Sequence, residues 1–81
     1  MANDEKLKML LRDVFLLEDP QIHFDLTREQ IDTWDSLGTV SLAVGVQEVF
    51  GYHMTPDEAN SLEGVRSLIR LLAGRGISID G

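Results

Sequence analysis

The sequence predicts an all-α protein: a small four-helix bundle of three longer helices and one short one, with a long loop between the first and second. Three observations predict it. Apolar residues recur at helical spacing in four segments, several of those segments carry helix start or stop residues, and no stretch alternates as a half-buried strand would. At 81 residues, with 43% hydrophobic and 26% charged content, the chain reads as a single globular domain over 1–81. A chain this short buries only about 60–65% of its unfolded surface, which disfavours a deep enclosed active site and therefore an elaborate enzyme.

The first helix is expected over about 4–17. Leu7, Leu10, Leu11, Val14 and Leu17 share one face, Asp4 and Glu5 suit the positive end of the dipole, and Asp19-Pro20 is the expected stop. From Glu18 to Trp34, isolated apolar residues (Ile22, Phe24, Leu26, Ile31) suggest a loop pinned to the core, with a turn of helix near Thr27 to Gln30. The second helix is expected over 36–50, closed by Gly51. Thr55-Pro56-Asp57-Glu58 combines a cap, a proline at the first helical position and a capping-box glutamate, so a short helix should cover 56–61. The last helix, about 64–74, places Val65, Leu68, Ile69 and Leu72 together, and a glycine-rich tail over 75–81 is expected to fray.

Charge and composition exclude several functions. Fourteen acidic against seven basic side chains give a net charge of −7, which argues against nucleic acid or anionic lipid as a partner and for basic partner surfaces. Between Asp13 and Leu62 ten carboxylates face Arg28 alone. No apolar run could cross a bilayer and the polar start does not resemble a secretion signal, so no membrane insertion and a cytoplasmic location are expected. The absence of cysteine removes disulfides, thiolate metal sites and a cysteine nucleophile. No metal site is expected. His23 and His53 are isolated, and although Leu26 to Ile31 resembles the entry helix of calcium-binding EF-hands, no start at Asp25, Asp32 or Asp35 supplies the required ligands. Ser36 lacks the context of a hydrolase nucleophile, so no catalytic residue is assigned.

The second helix is apolar on two sides. At 100° per residue, Val49, Leu42, Val46, Thr39 and Phe50 fall within roughly −20° to +80° of Leu42 and suit the core. Leu37, Val40 and Val44 fall at roughly 160° to 220°, nearly opposite. Either the long loop folds over that second stripe, or a partner does. The stripe begins beside Asp35-Ser36, where loop becomes helix. Taken alone, either residue is most simply an N-cap. A hydroxyl at that end is also exposed, and a phosphate ester on it would meet free N–H donors and the positive end of the dipole, so the place suits a phosphorylated or phosphopantetheinylated serine.

Here the sequence resembles the acyl carrier protein family. Asp35-Ser36-Leu37-Gly38-Thr39-Val40 looks like the family's attachment motif, followed by Leu42, Val46 and Phe50 in the register of its second helix and by Met54, Asp57-Glu58, Leu62 and Val65 in the manner of its third and fourth. The resemblance implies that Ser36 receives 4′-phosphopantetheine from coenzyme A through a separate phosphopantetheinyl transferase, with Asp35 and Leu37 as recognition residues and Asp35 helping the transferase to place magnesium. It further implies a non-catalytic carrier holding acyl or aminoacyl groups as thioesters for a fatty acid, polyketide or related specialised pathway, and a monomer is expected by default. A loading ligase and downstream synthase or transferase enzymes would dock through Leu37, Val40, Val44 and Glu48. The sequence departs from fatty-acid carriers in having Gly38, Ser41, Gln47 and Val49 where acidic residues are usual, and Trp34 where a small residue is commoner. Gly38-Thr39-Val40 also looks like the run in D-alanyl carriers, which points to a dedicated carrier. Trp34 is read as a plug for the loop. The alternative of another class is a helical protein–protein interaction module in which Ser36 is only a cap.

Overall fold

The computed structural model describes residues 2–79. Four α-helices run in order, α1 (Asn3–Phe15), α2 (Ser36–Phe50), α3 (Pro56–Ser61) and α4 (Val65–Gly74), with two single 3-10 turns, Asp19–Gln21 and Arg28–Gln30, inside the long loop. The core joins all four: Leu7, Leu10, Leu11 and Phe15 from α1, Leu42 and Val46 from α2, Ala59 from α3, and Val65, Leu68 and Leu72 from α4.

Local chemistry sets most boundaries. Asp35 caps α2 at its start, and Gly51, at φ +73°, closes it with its N–H donating to the Gln47 carbonyl. At α3 the capping box forms in both directions: the Glu58 N–H donates to Thr55 Oγ1 at 3.1 Å, and the Thr55 N–H to Glu58 Oε1 at 2.9 Å. The long loop is pinned as its apolar residues suggested, with Phe24 and Ile31 buried and Ile22 and Leu26 packed against the core. It is also tied to the α3–α4 junction. The Val65 N–H donates to the Leu26 carbonyl at 2.9 Å and the Arg28 N–H to the Glu63 carbonyl at 2.8 Å, closing an isolated bridge between Thr27 and Gly64.

Three expectations need correction. Helix α1 stops at Phe15 rather than 17, because Leu16 takes a left-handed conformation (φ +58°), which costs a non-glycine residue about 1–2 kcal/mol and breaks the helix before Asp19-Pro20 is reached. Thr33 helps to hold that end, its hydroxyl donating to the freed Phe15 carbonyl at 2.8 Å. Val49 is not in the core: it stays 36% exposed beside an open groove between α1 and α2. The tail is docked over residues 75–79. Ile77 and Ile79 pack on the core, the Ile77 N–H donates to the Leu72 carbonyl, and Asn3 Nδ2 donates to the Ser78 carbonyl. The expected fraying of 80–81 lies outside the described residues.

A polar staple holds the same end of the molecule. The Tyr52 hydroxyl lies 2.7 and 2.8 Å from the two oxygens of Glu58, while Arg75 donates to Glu58 Oε2 at 2.9 Å and to the Tyr52 oxygen at 3.2 Å. These donors, with the Thr55 N–H contributing most, lower the Glu58 carboxyl from its ordinary 4.5 to about 2.

Candidate functional site

The loop entering α2 is fixed from below by an aromatic pair. Trp34 is buried and stacks on Phe15, with ring centroids 4.8 Å apart and planes 25° from parallel. Trp34 therefore plugs the loop against the bundle. Its Nε1 is buried without a hydrogen-bond partner among the described residues, so packing and stacking hold it.

Gly38 fixes the loop from the side. A Cβ there would collide with the Thr33 carbonyl oxygen and approach a Phe15 ring carbon at 3.3 Å. The backbone of the loop thus lies directly on the first turn of α2, which only a residue without a side chain permits. No residue with a Cβ fits at position 38 unless the loop shifts.

Between those two contacts stands Asp35-Ser36. Asp35 Oδ1 accepts from the Gly38 N–H at 2.9 Å, and the Asp35 carbonyl accepts from both the N–H (2.8 Å) and the hydroxyl (3.0 Å) of Thr39. The cap is Asp35. Ser36, the first helical residue, is exposed and its hydroxyl makes no hydrogen bond among the described residues. The N–H groups of Ser36 and Leu37 begin the helix and have no intrahelical acceptor, so they face outward as donors beside that hydroxyl.

The second apolar stripe of α2 is open. Leu37 is 75% exposed, Val40 59% and Val44 51%, so the long loop does not cover them. Glu48, also exposed, lines the groove between α1 and α2 together with Val40 and Val44. Ser36, Leu37, Val40 and Val44 therefore share an outward face, with Glu48 at the edge where it meets α1. A smaller groove of about 230 Å³ lies on the α3 side, with Thr39, Val40, Val44, Met54 and Ala59 among its walls.

Sequence reasoning missed two residues here, Met9 and Val49, both exposed in the α1–α2 groove. Met9 fell off the core stripe of α1, and an apolar residue left over there was the available signal. Among the described residues no group of three or more His, Asp or Glu side chains could hold a metal ion, and no helix is long and apolar enough to cross a membrane.

The chain is similar to an acyl carrier protein of Coprothermobacter proteolyticus, 25% identical over 68 residues that span 84% of this chain and 83% of that protein. No protein-family model matches the chain, and no solved structure matches it. The similarity supports the acyl carrier protein family, in keeping with the resemblance carried by Asp35-Ser36-Leu37.

Proposed function

We propose that the chain is a phosphopantetheine-dependent acyl carrier protein, with Ser36 as the attachment residue. The observation that carries this is the division of labour at the start of α2: Asp35 takes the cap, and the Ser36 hydroxyl is left exposed and, among the described residues, unbonded. In the interaction-module alternative Ser36 is explained as a cap, a task that Asp35 already performs.

The residues present fit the group. Ser36 Oγ would form a bond to the β-phosphorus of coenzyme A as the phosphoanhydride breaks, 3′,5′-ADP leaves, and the hydroxyl proton passes to a base of the transferase. The resulting phosphodiester would lie beside the outward N–H groups of Ser36 and Leu37, whose dipole end favours an anion. Asp35 Oδ1 holds the first turn in place, and Oδ2 stays available to the transferase's magnesium. Once attached, the arm supplies the thiol on which an acyl or aminoacyl group is carried as a thioester. The chain contributes no catalytic group of its own. Leu37, Val40 and Val44 give contact area and Glu48 attracts a basic partner surface, an arrangement suited to fast, weak exchange between a loading ligase and downstream synthase or transferase enzymes.

Within this proposal the chain acts as a cytoplasmic monomer in a specialised biosynthetic pathway, with acyl cargo of the fatty acid or polyketide kind or an aminoacyl cargo such as D-alanyl. The lack of acidic residues along α2, Glu48 excepted, favours a dedicated partner set. The test is intact mass after incubation with coenzyme A, magnesium and a broad-specificity phosphopantetheinyl transferase. The native chain should gain one arm and Ser36→Ala none. If neither mass changes, and protein isolated from its host is also unmodified, the carrier function is lost.

A further inference from the structure

We infer that the open groove between α1 and α2 is the seat of a cationic amphipathic helix from a partner protein, so that partner recognition extends from the Ser36 face onto α1. The inference deepens the carrier proposal and rests on it for why a partner must approach Ser36.

The groove has a volume of about 580 Å³ and an apolar floor: Met9, Val14, Val40, Val44 and Val49. Four of these leave substantial surface in water, Met9 at 40%, Val40 at 59%, Val44 at 51% and Val49 at 36%. Singly such residues mean little, but gathered along one groove they form a patch of the kind that is covered in use. Nothing in the described chain covers it. The long loop is committed elsewhere, against Phe15 and the α3–α4 junction, and the tail packs near Asn3 and Leu72. At Gly45 the two helices meet closely, since Leu10 of α1 occupies the space where a Cβ would be. Val40 to Val49 spans about 13–14 Å of helix, the length of roughly nine residues of a docked helix.

Charge selects the occupant. Asp13 and Glu48 line the groove against one amine, Lys6. Among the described residues Asp13 is held only by a 3.9 Å contact with Arg12, and both side chains are exposed, so its carboxylate can turn to an incoming cation. A second copy of this chain would bring another −7 to a surface already negative. A helix with aliphatic residues at i, i+4 and i+7 and Lys or Arg beside them matches both floor and rim. Val40 and Val44 belong to this groove and to the outward stripe below Ser36, so the occupant would sit next to the modified residue.

The test is a titration of the isotopically labelled, unmodified 81-residue chain with three synthetic helical peptides followed by NMR. One carries the aliphatic stripe with flanking lysines, one the same stripe with flanking glutamates, and one the lysine peptide scrambled to destroy the stripe. The first should shift the amides of Met9, Val14, Val44, Gly45 and Val49 in a saturable way. The other two, and Met9→Asp or Val49→Asp with the first, should bind at least about tenfold more weakly, a loss of about 1.4 kcal/mol or more. The two substitutions back each other up should one disturb folding. Equal response to the glutamate or scrambled peptide would overturn the inference, as would shifts confined to the α3-side groove at Gln47, His53 and Asn60. A concentration-dependent dimer seated on Met9 and Val49 would overturn it in favour of a second copy. Because the titration needs no arm on Ser36, its failure is distinct from failure of the mass test.

Discussion

At Ser36 the decisive fact is what a neighbour does. A serine at a helix start is ordinarily a cap, and here Asp35 accepts from the Gly38 N–H in its place, so among the described residues the hydroxyl has no hydrogen-bond partner. Glu58 shows the opposite use of a polar side chain, committed on every side. Its two oxygens take the Thr55 N–H, the Tyr52 hydroxyl and the Arg75 guanidinium, which hold its carboxyl near 2. Because this value lies below the ordinary 4.5, ionised Glu58 contributes stability that is fully present above about 4.5 and is lost as pH falls towards about 2. Glu58→Gln should therefore be less stable than the native chain at about pH 7, with a gap that narrows at about pH 3. Urea unfolding at both pH values measures this, and an unchanged gap would mean that the staple does not act through the charge.

Within α2, two glycines seven residues apart meet their neighbours differently. A Cβ at position 38 would strike the backbone carbonyl of Thr33, which cannot move without displacing the loop that ends at Ser36, whereas at position 45 the obstacle is the tip of the Leu10 side chain. Alanine gains up to about 1 kcal/mol over glycine in helix propensity. At Gly38 that gain should be exceeded by an overpacking cost of about 1–3 kcal/mol. At Gly45 a leucine rotamer can yield. Gly38→Ala is expected to lower the urea midpoint and Gly45→Ala to leave it within error, so equal losses would show that α1 is as rigid as the loop. On the outward face of the same helix, Val44→Asp should change stability by no more than about 0.5 kcal/mol. It should nonetheless slow modification by the transferase. Collapse of helical circular dichroism in that variant would mean that Val44 supports the core.

Across the whole molecule, what could be read in advance was local. The Thr55/Glu58 capping box, the Gly51 stop, the start of α2 at Ser36 and the outward stripe of that helix each depend on residues a few positions apart, and each is found as expected. The misses all involve distant partners. Leu16 ends α1 early with the Phe15 carbonyl supported by Thr33, eighteen residues away. Arg75 ties the expected loose end to Glu58, seventeen residues back, and Asn3 ties it to Ser78. Val49 leaves the core because the angle of a residue on one helix does not say how closely the next helix approaches it.

Helix positions, caps and the two-sided character of α2 were thus written in the order of the amino acids, since hydrogen bonds within a turn and a 3.6-residue period need no knowledge of the rest of the chain. Only the packed arrangement decided that the loop leaves Val40 and Val44 open and that Met9 joins them in one groove. These outcomes depend on which surfaces meet, and a meeting between segments far apart in sequence is fixed by the competition of all contacts at once rather than by any local preference.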